Sequence, residues 1–227
     1  IITSGPFVNF SEAMGVLDMP YLFANNEEAY KVFDGEIGRE LLDSLEDAGL
    51  KGLAYAERGF RNVTNSVRPV NNADDLAGLK LRVMENEVYT ATFKALKVNA
   101  VPMAWAEALT AMQQGTIEGQ ENPPSTLLAN GWYEVQDYLA MTNHQIAMNF
   151  ILFNENFYNS MSAEDQAVVD EACKAFVQKQ LELFQKAMVD DVETLQEYGL
   201  EVTYPDREEM KAAGSGVIDE YRAKYPE

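Results

Sequence analysis

The sequence predicts an α/β protein of two lobes arranged as a hinged clamshell. Three observations lead there. Short apolar runs alternate with helical patterns along the chain, which implies α/β layers around a mainly parallel sheet. The runs at 79–83, 99–103 and 116–120 are followed by Glu85-Asn86, Trp105 and Glu121-Asn122. Polar or aromatic residues just past a strand are the layout of strands that end at a ligand cleft. The chain is expected to leave one lobe near 57–60 and to return near 147–150, and two crossings suit a hinge. Residues 1–59 plus 148–227 are expected to form the first lobe. Residues 60–147 are expected to form the second.

Taken in order, 15–23 reads as an apolar turn region, and Asn25 or Asn26 can cap the helix that follows. Tyr30, Phe33, Ile37, Leu41 and Leu45 recur at helical spacing until Gly49, while Gly35 and Gly38 allow a break into two helices. Short strands are expected at 53–56 and 60–64, separated by Glu57-Arg58-Gly59, with a capped turn from Asn72 to Leu76. After the Arg82 strand, helices are expected at 86–97 and 105–114. Pro123 stops the third strand, and a short helix follows over 126–132. Strands are expected at 138–142 and 146–153. Ser162 and Asp165 match a capping box that opens a long helix to about Tyr198. Its apolar stripe is Val169, Ala172, Cys173, Phe176, Phe184, Met188, Val192 and Leu195. At ~1.5 Å per residue it would be roughly 50 Å long, enough to brace both lobes. A strand at 200–204 and a helix at 206–223 complete the expected order.

The 227 residues carry a formal charge of −20, and the sequence pI is near 4.3. That excludes nucleic acid, whose binding needs clustered Lys and Arg, and it argues against anionic membrane surfaces. Exposed charges are screened beyond about 8 Å at physiological salt, so arginines in a cleft can still attract an anion. Cys173 is the only cysteine, so no intrachain disulfide forms. No apolar run approaches the ~20 residues of a membrane span. The chain opens on Ile1-Ile2-Thr3, read as the end of a strand, and upstream sequence is expected.

Arg82 is the central candidate. It lies between Leu81 and Val83, and a buried guanidinium needs a partner. That partner is either a ligand carboxylate held bidentately or a protein carboxylate, Glu85 or Glu121. Arg61 is a second candidate; its structural alternative is a surface arginine on an edge strand. The Asn122 amide can donate to a carboxylate oxygen or make an Asx turn. Trp105 can wall a cleft or pack as core. Glu85 and Asn86 can reach a ligand, orient Arg82 or cap the next helix. His144, the only histidine, reads as a cleft-mouth residue or a bonded strand residue. Nucleophile elbow, zincin, P-loop and dinucleotide motifs are absent, so no enzyme activity, metal or cofactor is expected. Asp190-Asp191 and Glu208-Glu209 read as solvated helix faces.

The runs LKLRVMEN, VPMAWAEALTAMQQGTIEGQENP and WYEVQDYLAMTNH, in this order and spacing, resemble the DctP-type solute-binding proteins of TRAP transporters. The resemblance extends from GVLDMPYLF through the helix after Ser162. It implies a periplasmic-binding-protein-like clamshell whose first lobe lacks its initial strand–helix units here. It implies a non-enzymatic, periplasmic receptor that captures a small organic acid and delivers it to TRAP permease subunits; a monomer is expected, with other oligomeric states open. Mono- and dicarboxylates and sugar acids all remain open. The family's LRV arginine holds the carboxylate, which selects the ligand role for Arg82. Arg61 and Asn122 match family positions at the cleft, and His144 falls in the MTNH match. Thr3, Ser4 and Phe7 correspond to the first-lobe loop that faces ligand. Pro6 stands where the sialic-acid branch has arginine, which speaks against sialic acid. Two rival outputs are a ligand sensor feeding a sensor kinase and a lyase or hydrolase working through carboxylates.

Overall fold

A computed structural model of the chain describes residues 1–224. Its first half runs β1 (Ile2–Thr3), α1 (Asn26–Phe33), α2 (Glu36–Asp43), β2 (Leu50–Asn65), β3 (Lys80–Val83), α3 (Glu87–Ala95), β4 (Asn99–Pro102) and α4 (Trp105–Gln113). Then come β5 (Gly119–Asn122), α5 (Pro124–Ala129), β6 (Tyr138–Asn154), α6 (Glu155–Ser160), α7 (Ala163–Glu197), β7 (Glu201–Thr203), α8 (Arg207–Gly214) and α9 (Gly216–Lys224). The chain divides into two compact units. The first holds Ile1–Leu17, Phe23–Gly59 and Ile146–Ala187; the second holds Asp18–Leu22, Phe60–Gln145 and the chain from Met188 onward.

In the first unit, β1 lies antiparallel to β6, with Ile2 opposite Phe150 and Thr3 opposite Asn149. Phe7, Phe33, Tyr55 and Phe150 pack around these strands, the Phe33 and Tyr55 rings 4.8 Å apart. Asn25 caps α1 by accepting the Glu28 N–H. Gly35 then breaks the helix, so the predicted stretch is two helices, α1 and α2. Ser162 accepts the Asp165 N–H and donates to its carboxylate, closing the capping box at the start of α7. The expected stripe of α7 is not continuously covered. Of its residues, Cys173 in this unit and Leu195 in the second are buried, whereas Phe176 and Met188 are exposed.

In the second unit the strand order is β6-β2-β5-β3-β4, and β7 also pairs with β6. β3 is parallel to β4 and β5, β7 is parallel to β6, and β2 is antiparallel to β5. The sheet is therefore mixed, because the return strands β2 and β6 need no helical crossover. A core of Val63, Val70, Leu76, Leu79, Leu81, Val83, Phe93 and Met210 sits on one side of it. Ala108, Met112, Ile117, Leu127, Leu139, Leu195 and Leu200 form a further cluster.

Three expectations change. The predicted strands at 53–56 and 60–64 are one strand, β2, which runs through Gly59 at φ 94°. The strands at 138–142 and 146–153 likewise merge into β6, with Asn143 at φ 43°. Residues 188 onward cluster with the second unit and not the first, because Leu195, Leu200, Met210 and Val217 bury their side chains there.

Candidate functional site

The carboxyl ends of the three parallel strands of the second unit place the candidate residues. Arg82 is the third residue of β3, with Val101 of β4 as its neighbour. β4 ends at Pro102, and Trp105 opens α4 three residues later. Asn122 is the last residue of β5, where Pro123 denies the strand another N–H. The crevice outside such strand ends is where open α/β sheets bind ligands. α4 starts there without a side-chain cap, so its positive end adds a field that favours an anion.

Arg82 is 3% exposed. Its Nε donates to the Met103 carbonyl at 2.9 Å, its guanidinium lies 5.9 Å from the Trp105 ring centre, and its Nη1 has no hydrogen-bond partner. Among the described residues no carboxylate forms an ion pair with it. Burial lowers its pKa, and the more distant Glu121 acts against that. The expected structural alternative, an ion pair with Glu121 or Glu85, is not formed: Glu85 is exposed, and Glu121 is engaged by Arg61.

That pairing sequence reasoning missed. Arg61 is fully buried, which excludes the surface alternative. Its Nε donates to Glu121 Oε2 at 2.5 Å, and its Nη2 donates to Oε1 at 2.9 Å and to the Glu121 carbonyl at 2.6 Å. Val63 stands opposite Glu121 in the antiparallel register, so Arg61 is its diagonal neighbour on the same face. Nη1 of Arg61 is left without a partner. Burial raises the Glu121 carboxyl, but Arg61 and His144 outweigh it and hold the group down at about 2.

His144 is buried with its ring edge-on to Phe93. Nε2 lies 3.1 Å from Glu121 Oε2, and Nδ1 lies 2.8 Å from the Thr142 hydroxyl. Burial lowers its pKa, so the neutral ring donates to Glu121 and accepts from Thr142. Both nitrogens are thus used within the protein. Asn86 takes the capping alternative: its oxygen caps α3 by accepting the Val88 N–H, and its nitrogen donates to Asp18 at 2.6 Å. Asn122 donates to the Gln120 oxygen at 2.6 Å, and Gln120 donates to Thr64. Trp105 is 43% exposed and stacks on Trp132 at 4.3 Å, which fits a wall better than a core.

Thr3, Ser4 and Phe7 belong to the first unit. The Phe7 ring is buried against Phe150, the Ser4 N–H donates to the Met148 carbonyl, and the Thr3 hydroxyl is buried without a partner. Sequence reasoning also passed over Asp18, Tyr89 and Gln145, which are buried beside Arg61. Charge periodicity gives no hint of Asp18, because its partners are far along the chain. Among the described residues, no His, Cys, Asp and Glu cluster could hold a metal, and no helix is long and apolar enough to cross a membrane.

A mixed α/β sheet that places buried cationic side chains at its strand ends is the architecture of the solute-binding class. The chain belongs to the DctP family, bacterial extracellular solute-binding protein family 7, whose profile matches residues 1–224. It is 36% identical to the 2,3-diketo-L-gulonate-binding periplasmic protein YiaO of Escherichia coli, over 99% of this chain and 69% of that protein. A TRAP periplasmic solute-binding protein from Bordetella bronchispeptica, with density described as pantoate, superposes with a TM-score of 0.96. It is 36% identical, and the match covers 99% of this chain and 74% of that one. A TRAP protein from Polaromonas sp. JS666 bound to D-erythronate gives a TM-score of 0.95 at 34% identity, again covering 99% and 74%. The chain spans about half to two thirds of the length of the curated relatives it matches.

Proposed function

We propose that this chain is the ligand-capturing part of a TRAP-type receptor for a small hydroxylated carboxylate, which it passes unchanged to a membrane permease. The observation that carries this reading is the buried guanidinium of Arg82. Among the described residues its Nη1 has no hydrogen-bond partner and no carboxylate pairs with it, and a ligand carboxylate would complete it with two parallel charge-assisted bonds. Nη1 of Arg61 is a second free donor. The Asn122 amide stands at the neighbouring strand end, and Trp105 offers an apolar wall to a carbon backbone. In this reading the receptor works in the periplasm, the compartment named for its relative YiaO.

The similar proteins of Bordetella bronchispeptica and Polaromonas hold density assigned to pantoate and bound D-erythronate, each a monocarboxylate with hydroxyl groups. We therefore place this ligand among hydroxy and sugar acids ahead of dicarboxylates. A thermal-shift screen with pantoate, D-erythronate, galactonate, D-glucuronate and succinate tests the reading. A stabilising acid should add about 2.7 kcal/mol at 100 times its dissociation constant and should be recovered chemically unchanged. A null result across the panel, or a product in the recovered acid, overturns it.

A further inference from the structure

Behind Arg61 lies a carboxyl group that the binding reading leaves without a task. Asp18 is 2% exposed. Its Oδ2 accepts from the Asn86 amide at 2.6 Å and its Oδ1 from the Gln145 amide at 2.8 Å. Among the described residues no Lys or Arg forms an ion pair with it. The charged and titratable groups that face it come from three elements. They are Arg61 on β2, Glu121 on β5 and Tyr89 on α3, and His144 adjoins Glu121. Tyr89 is pushed far above its ordinary range by burial and stays neutral, as does His144. Glu121 is held ionised by Arg61. Asp18 alone among them is poised to change charge near neutral pH, with burial moving it up to about 7.

The charge count then turns on this group. With Asp18 ionised, Arg61 has two carboxylates near it, Glu121 and Asp18, and the positive charge of Arg82, next to Arg61 and Glu121, brings these four groups to neutrality. With Asp18 protonated, one positive charge remains, which matches a single carboxylate. We propose that Asp18 takes up a proton from solvent as the site takes up a carboxylate, so that the receptor binds an organic acid and a proton together. The idea rests on the anion site argued above. The hydrogen bonds permit it: Asn86 is fixed as a donor by its capping bond, whereas Gln145, turned over, offers its oxygen to an Asp18 hydroxyl. Asp18 is in this role a positioning residue that acts through Arg61.

By linkage, affinity falls as pH rises above neutrality, approaching about tenfold per pH unit where uptake is complete. Titration calorimetry at pH 8 in phosphate and in Tris, with the panel acid that stabilises most, counts the protons. Uptake approaching one proton per ligand supports the proposal, as does its loss in Asp18→Asn together with a flat affinity profile from pH 6 to 9. Binding without proton uptake in the parent protein overturns the coupling and leaves the anion site standing, and this readout does not need the variant to fold. Uptake that persists in Asp18→Asn also overturns it. Failure of every acid to bind overturns the anion site and the coupling together.

Discussion

Arg82 and Arg61 lie in one unit and are held in opposite ways. Among the described residues Arg82 keeps a free donor and has no counter-ion, so Arg82→Lys should weaken acid binding, because an ammonium cannot make two parallel bonds. Arg82→Ala should weaken it more, by roughly 2–5 kcal/mol. Titration calorimetry on folded variants reads both, and a Lys variant that binds like the parent would make Arg82 structural. Arg61 is tied twice to the Glu121 side chain. Glu121→Gln should therefore act on the fold, destabilising it by about 3–5 kcal/mol by leaving a buried cation uncompensated; urea denaturation measures this. Glu57 in the first unit shows the reverse case. Burial raises it to about 7, and the Tyr30 hydroxyl and the Asn26 amide donate to it. The folded form thus holds a proton that the unfolded chain releases from about pH 4.5 upward. Glu57 therefore makes stability decline as pH rises from about 4.5 to 7, with the penalty complete above that window. Midpoints measured at pH 5 and 7.5 should draw together in Glu57→Gln; an unchanged gap would clear Glu57 of the effect.

Among the elements, β2 passes through Gly59 at φ 94°, where an added Cβ would lie 2.6 Å from the Phe184 ring. Gly59→Ala should lower stability by about 1–3 kcal/mol through backbone strain alone, with further loss from the displaced ring. Equal denaturation midpoints would show that the strand relaxes freely. The same residues show what a sequence can disclose. The caps at Asn25, Asn72 and Ser162 were legible, since each depends on neighbours within a few residues, whereas α2 stops at Asp43 and Gly49 closes only the short 3-10 turn that follows. The strand-end positions of Arg82 and Trp105 were legible for the same reason. The unbroken course of β2 and β6 was not, because a ladder of partners elsewhere in the chain overrides a local Gly or Asn. Nor was the Arg61–Glu121 pair, whose members are 60 residues apart, or the docking of Asp18 on Gln145, 127 residues away. Asn86 kept two readings in the sequence because a helix cap and a ligand contact ask for the same residue type, and the structure shows the cap.

At the scale of the whole molecule, a formal charge of −20 sets exposed carboxylates against one another, while the cationic groups of the site are buried. Added salt screens the first and hardly reaches the second. Stability should therefore rise between 20 and 300 mM sodium chloride in thermal melts. Affinity for the acid should fall less than an exposed ion pair would. A melting temperature that drops with salt would mean that favourable surface pairs outweigh the repulsion.

The second unit is discontinuous along the chain, and this has a consequence for synthesis. When a ribosome has just released Asn122, every residue of the Arg82 site is present, yet Leu195, Leu200 and Met210, which close its cores, have not been made. The site cannot mature as it emerges; it waits for later residues to fold back across the intervening first-unit segment. Contacts of such separation form slowly, so the nascent chain passes through a long interval with apolar strands uncovered, which favours capture by a holding chaperone over spontaneous folding.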